Sequence, residues 1–299
     1  KETRMPSAEL ERARDWERAF AEANAGADGI EGIRLVNRQW QAERAGELPA
    51  DLKTEPVDAG GIPAEWISID GGEQTPVVLF LHGGGYLLGS AEENREWVGR
   101  VVRGLGGRSL AIDYRLAPEH AYPAQVDDAH AAYLWLLGQG VEPSQVAILG
   151  ESAGGGLVAA TLIAIRDAGD PLPAAAVMTS PFVDFTLSGD SLSDNNDPFV
   201  GPEVLDQMIQ AGLQGKDPRE HSPLFAEVKG LPPLLIQVGT AEAVFDDGRR
   251  FAEAASAAGV DVTFEPWEDM IHLWHGFPYL PEARQAVDRI SAYLGEHVK

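Results

Sequence analysis

Leu10, Ala13, Trp16, Ala19 and Phe20 recur at three- and four-residue spacings within a charged stretch, which predicts an amphipathic helix with one apolar face. Gly26, Asp28 and Gly29 interrupt it, and a second helical stretch follows to about Arg44. Pro49, Pro56, Gly60, Gly61 and Pro63 then mark a linker. From Glu65 onward short apolar runs alternate with helical stretches. Residues 66–70, 77–81, 110–114, 146–149, 174–178, 234–238 and 262–264 read as strands. Helices are predicted near 91–105, 125–137, 154–167, 246–258 and 282–297. Such alternation predicts an α/β domain with a mostly parallel sheet and helices on both faces. The rhythm fails once, between Phe182 and Leu231, where 184–198 is polar and turn-rich and 202–213 is helical. An insertion that late, beside an N-terminal helix with nothing of its own to cover, predicts a helical cap. Its boundaries are 1–50 and 183–230, over a domain made of 51–182 and 231–299.

The length of 299 residues suits one large α/β domain with a smaller lid. Charge changes the picture more. Twenty-three basic against 47 acidic side chains leave a net charge of −24, which repels phosphate backbones and anionic lipid. Nucleic acid is therefore not an expected partner, and neither is membrane insertion. The acidity reads as a solvated surface, with adaptation to a saline environment as the sharper alternative. The absence of cysteine excludes disulfides, thiolate catalysis and Cys-ligated metal or iron–sulfur sites. No apolar run approaches the roughly 18 to 20 residues that cross a bilayer. The first 22 residues alternate charges where a signal peptide would carry an apolar core, so a cytoplasmic location is expected.

The chemistry is concentrated in a few strings. Gly150-Glu151-Ser152-Ala153-Gly154 follows the apolar run 146–149 and opens an Ala-rich helix. A serine on such a strand-to-helix turn takes a strained backbone angle, and small neighbours keep its oxygen reachable. A serine hydroxyl becomes a nucleophile only when a base takes its proton, a third group orients the base and donors await the oxyanion. His82-Gly83-Gly84-Gly85 directly follows the run 77–81, and three glycines let amides approach a ligand oxygen unobstructed. The amides of Gly83, Gly84 and Ala153 are the candidate oxyanion donors, and His82 braces the loop. A phosphate loop would need a following Lys or a G-x-G-x-x-G, and neither is present. His272 and His275 would share a metal-binding face only on a helix, which Gly276 and Pro278 oppose, and no H-E-x-x-H occurs. No metal and no cofactor are expected.

With H-G-G-G and G-E-S-A-G-G at compatible spacing, the chain resembles the bacterial hormone-sensitive-lipase-like esterases of the α/β-hydrolase fold. Asp113-Tyr114-Arg115-Leu116-Ala117-Pro118-Glu119 matches that family's D-Y-R-L-A-P-E segment, and Ser180-Pro181-Phe182-Val183-Asp184 resembles its S-P-W-x-D. The likeness runs from about Pro76 to the C-terminus; the first 60 residues match loosely. The resemblance implies a mostly parallel sheet under a helical cap, and cofactor-free hydrolysis of carboxylic esters through a Ser, acid, His triad in that chain order. The family's acid falls three residues past a glycine, here Glu242 after Gly239, with Asp246 the alternative or a helix N-cap. The family register around Trp267-Glu268-Asp269-Met270-Ile271-His272 implies His272 as the base, with His275 the alternative.

Candidate substrate-binding residues are Tyr86, Glu151, Phe199, Trp16, Phe20 and Leu273. A capped site implies a small-molecule ester with a short to medium acyl chain, split through an acyl-enzyme. The same triad on this fold also serves amidases and peptidases, and a receptor-like ligand-binding member without a working triad is the non-enzyme alternative. A monomer is expected, or a homodimer through an exposed edge at 262–264.

Overall fold

The computed structural model describes residues 6–72, 74–194 and 197–299. Residues 1–5 and 195–196 of the predicted cap lie outside the described residues. Strand β3 (Val77–Leu81) shows why the sheet is covered on both sides, since all five of its residues are apolar and fully buried. Val77, Leu79 and Leu81 pack on helices α4 (Ala124–Gly138), α5 (Ala153–Ala168) and α9 (Phe245–Ala257). Val78 and Phe80 point the other way, to α3 (Arg95–Leu105) and α10 (Pro281–His297). The period-two alternation of a strand thus serves two cores at once.

The remaining strands are β1 (Leu52–Asp58), β2 (Pro63–Ile69), β4 (Arg108–Ile112), β5 (Val146–Glu151), β6 (Ala175–Thr179), β7 (Leu234–Gly239) and β8 (Val262–Trp267). They form one sheet in the order β1-β2-β4-β3-β5-β6-β7-β8, parallel from β4 to β8 and antiparallel at β1-β2 and β2-β4. After β3 the chain crosses first to β4 on one side and later to β5 on the other. This reversal opens a crevice at the carboxyl ends of β3 and β5, where ligands bind in open α/β sheets. Leu81 pairs with Gly150, so the glycine turn after β3 and the turn after β5 leave the sheet at the same level.

Five further helices lie off the sheet: α1 (Ala8–Ala25), α2 (Gly29–Ala45), α7 (Pro202–Leu213) and the one-turn α6 (Ser191–Asp194) and α8 (Pro218–His221). The apolar face of α1 is used as expected, with Leu10 and Ala13 buried against Met270, Ile271 and Trp274 in the loop after β8. Ile30 and Ile33 of α2 and Met208 and Ala211 of α7 pack on Leu87 and Leu88, just past the glycine turn. Arg34 ties α2 down by donating to the carbonyls of Leu87 and Ala117 and to both oxygens of Glu119. Among the described residues no helix is long and apolar enough to cross a membrane.

One predicted linker is a strand. Residues 52–58 carry Lys53, Glu55 and Pro56 with mostly exposed side chains, a pattern without buried alternation, yet they pair along their length with β2. An edge strand tolerates charge and proline because one side of its backbone needs no partner. The same reason extends β8 past the predicted 262–264 through Pro266 on the opposite edge. The helix predicted from 91 starts as a 3₁₀ turn at Glu92–Asn94 and becomes α-helical at Arg95.

Candidate active site

Ser152 is the single residue between β5 and α5, with φ 52° and ψ −120°. That left-handed backbone is strained for a non-glycine residue and is held by its surroundings. Its N–H donates to Thr179 O, and its carbonyl accepts from Gly156 N and Phe182 N. The flanking glycines have steric causes: a Cβ at Gly154 would strike the Leu81 carbonyl, and one at Gly150 the Gly154 carbonyl. The turn thus depends on close approach of β5, α5 and the end of β3.

His272 arrives from the loop after β8 and lies between two partners, with Nε2 2.9 Å from Ser152 Oγ and Nδ1 2.8 Å from Glu242 Oε2. Glu242 is buried just beyond β7, and its Oε1 accepts from Gly239 N at 2.6 Å and Ser180 Oγ at 2.9 Å. Burial pushes the Glu242 pKa up, while the Gly239 amide and Ser180 hydroxyl push it down. Donors converging on both oxygens are the surroundings of a carboxylate, which accepts a hydrogen bond from Nδ1–H. Burial lowers the His272 pKa, opposed by the carboxylates of Asp197 and Glu151. A neutral imidazole with Nδ1 protonated leaves Nε2 free to accept from the serine.

The glycine turn closes the opposite side. Gly83, Gly84 and Gly85 line one cavity of about 50 Å³ together with Ser152 and His272. Gly84 and Gly85 have φ of 105° and 63°, and a Cβ at Gly84 would strike the Leu88 carbonyl. Among the described residues the amides of Gly84, Gly85 and Ala153 have no protein acceptor. Burial raises the Glu151 pKa, opposed by the Arg44 guanidinium and the Gly83 amide. His82 braces the turn from behind: Nδ1 donates to Gly83 O at 2.8 Å and the ring stacks on Tyr114, whose hydroxyl donates to His82 O. Burial lowers the His82 pKa to about 4, so the ring is neutral.

Of the candidate substrate-binding residues, Glu151, Phe20, Phe199 and Leu273 line this cavity. Tyr86 does not; it borders a separate void of about 10 Å³ with Tyr122 and Phe185. Trp16 lies one layer back, stacked on Phe20 at 5.1 Å and edge-on to Phe277, because the face of α1 that it occupies is turned to the loop after β8. His275 is turned away from Ser152, its Nε2 3.0 Å from Gln237 Oε1 and its ring against Trp274. Asp246 is not the N-cap of α9, which is Val244; it lies in the first turn, accepting from Ser191 N and pairing with Arg249. Motif reading missed Asn37, Gln41, Glu93 and Met208, which also line the cavity. Nothing local in the sequence marks them, since α2, α7 and the turn after β3 meet only in the fold. Ser180 was within reach, because it opens the Ser180-Pro181-Phe182-Val183-Asp184 string; in the fold it has a left-handed φ of 47°.

Residues 78–276 match the family described as alpha/beta hydrolase fold, and the chain belongs to it. An acetyl-hydrolase of Streptomyces hygroscopicus is 42% identical over 265 residues, spanning 86% of this chain and 88% of that protein. An esterase of Acinetobacter venetianus is 33% identical, spanning 81% and 82%. A crystal structure of an esterase from the bacterial hormone-sensitive lipase family superposes with a TM-score of 0.94 at 41% identity, over 99% of this chain and all of that one. Within the α/β-hydrolases the chain is thus one of the hormone-sensitive-lipase-like esterases. It is a serine carboxylesterase.

Proposed function

We propose that Ser152, His272 and Glu242 are the catalytic triad of this ester hydrolase and that it acts through an acyl-enzyme on short- to medium-chain esters. The observation that carries this is the unbroken series from Ser152 Oγ through His272 to Glu242, at 2.9 and 2.8 Å. Ser152 Oγ attacks the ester carbonyl carbon as its proton passes to His272 Nε2, and Glu242 stabilises the imidazolium. The tetrahedral oxyanion is received by backbone amides. The amides of Gly83, Gly84 and Ala153 are the proposed donors, from the turn after β3 and the first residue of α5. Collapse breaks the bond to the alcohol oxygen, which takes the proton from His272. A water then loses its proton to the same nitrogen, attacks the acyl carbon and releases the acid, restoring Ser152.

Helices α1, α2 and α7 with the 183–230 segment are proposed as the cap. The small cavity and the acetyl-hydrolase relative support short acyl groups. A series of p-nitrophenyl esters from two to sixteen carbons tests this, with Ser152→Ala as control. Turnover is expected to peak at two to six carbons and to fall by about three orders of magnitude or more in the variant. A maximum at long chains overturns the acyl assignment, and near-normal turnover by Ser152→Ala overturns the triad.

A further inference from the structure

We propose that the polar wall of the Ser152 cavity is a subsite for the alcohol part of the ester, and that it selects leaving groups carrying hydroxyl donors. This rests on the esterase function proposed above. The cavity wall is divided in character. Phe182, Phe199, Val200, Leu205 and Met208 supply apolar surface, whereas Asn37, Gln41, Glu93 and Asn94 supply a polar stretch from α2 and the turn before α3.

The polar stretch is built and internally bonded, with acceptors left over. Asn37, itself buried, donates through Nδ2 to Glu93 Oε2 at 2.6 Å and accepts through Oδ1 from Gln41 Nε2 at 3.3 Å. Asn94 is fixed by donating to Ser90 O and accepting from Trp97 Nε1. Two buried oxygens have no partner among the described residues, Gln41 Oε1 and Glu151 Oε2, and Glu151 is only 4% exposed. Both are acceptors, so a ligand that satisfies them brings donors, and a buried acceptor without one is costly. A carboxylate on the leaving group would instead meet Glu93 and Glu151. A full positive charge gains little, because the buried Arg44 already sits in the field of both carboxylates. Burial pushes the Glu93 pKa to about 7, so that wall is not held fully anionic at neutral pH. A neutral polyol fits on all three counts.

The test compares kcat/KM for glyceryl monoacetate, propyl acetate and acetylcholine, which share one acyl group and differ in the alcohol. The glyceryl ester is expected to exceed propyl acetate about tenfold, the worth of one or two hydrogen bonds. Gln41→Leu is expected to bring that ratio towards one; Gln41→Met, of nearly the same shape, serves if the first does not fold. Equal turnover of glyceryl and propyl esters, a preference for acetylcholine, or an unchanged ratio in the folded variant overturns the subsite alone. Turnover of none of the three overturns the esterase function, and this assignment with it.

Discussion

Ser180 Oγ donates to Glu242 Oε1 at 2.9 Å, and the other oxygen of the same carboxylate faces His272 Nδ1. The serine does not touch the reacting atoms; it fixes the plane of the carboxylate that orients the imidazole. Ser180→Ala is expected to lower kcat roughly tenfold with KM nearly constant, because only transition-state charge on the imidazolium loses support. Steady-state kinetics on a p-nitrophenyl ester measures both. A raised KM with normal kcat would place Ser180 in substrate binding instead.

The two neighbouring histidines separate by phenotype. His272→Ala removes the proton acceptor and is expected to cost about three orders of magnitude or more in kcat. His275→Ala leaves the acceptor in place but empties a buried site and leaves Gln237 Oε1 without its partner, costing about 2 to 4 kcal/mol of stability. Urea unfolding midpoints alongside kinetics distinguish them, and a larger catalytic loss in the second variant would reverse the assignment.

The acid limb of the pH profile follows from the base. His272 acts only when neutral, and burial lowers its pKa below the ordinary 6.5. Activity should therefore persist below pH 6.5 and fall as pH drops through the lowered value. The Asp197 carboxylate raises that pKa, so Asp197→Asn should move the limb further down. A limb moving to higher pH in the variant would contradict this.

His82 ties stability to pH. Its folded pKa of about 4 lies below the unfolded 6.5, so the stability it contributes is full above 6.5 and is lost as pH falls through 4. The loss is on the order of 3 kcal/mol. His82→Asn, which retains a donor towards Gly83 O, should narrow its stability gap to the parent as pH falls from 7 to 4. A gap that stays constant over that range would show that the ring does not titrate on unfolding.

Much of the architecture was legible because it is local. Buried parallel strands are short apolar runs, and β3, β5, β6 and β7 are recognised as such, whereas β1 hid because an edge strand has no buried face to pattern. Ser152 and the glycine turn were legible because close backbone contacts dictate Gly84, Gly150 and Gly154.

By itself the sequence determined an α/β sheet, a serine at a strand-to-helix turn and a glycine turn directly after an apolar strand. Each of these follows from the steric and burial requirements of a few consecutive residues. The tertiary structure alone decided which histidine faces Ser152, that Ser180 orients Glu242, and that Asn37, Gln41 and Glu93 form one wall of the cavity. The Asn37–Glu93, Ser180–Glu242 and Ser152–His272 contacts join residues 56, 62 and 120 positions apart. Their distances are set by the order in which strands enter the sheet and by how α1, α2 and α7 pack across its carboxyl edge, which no local pattern encodes.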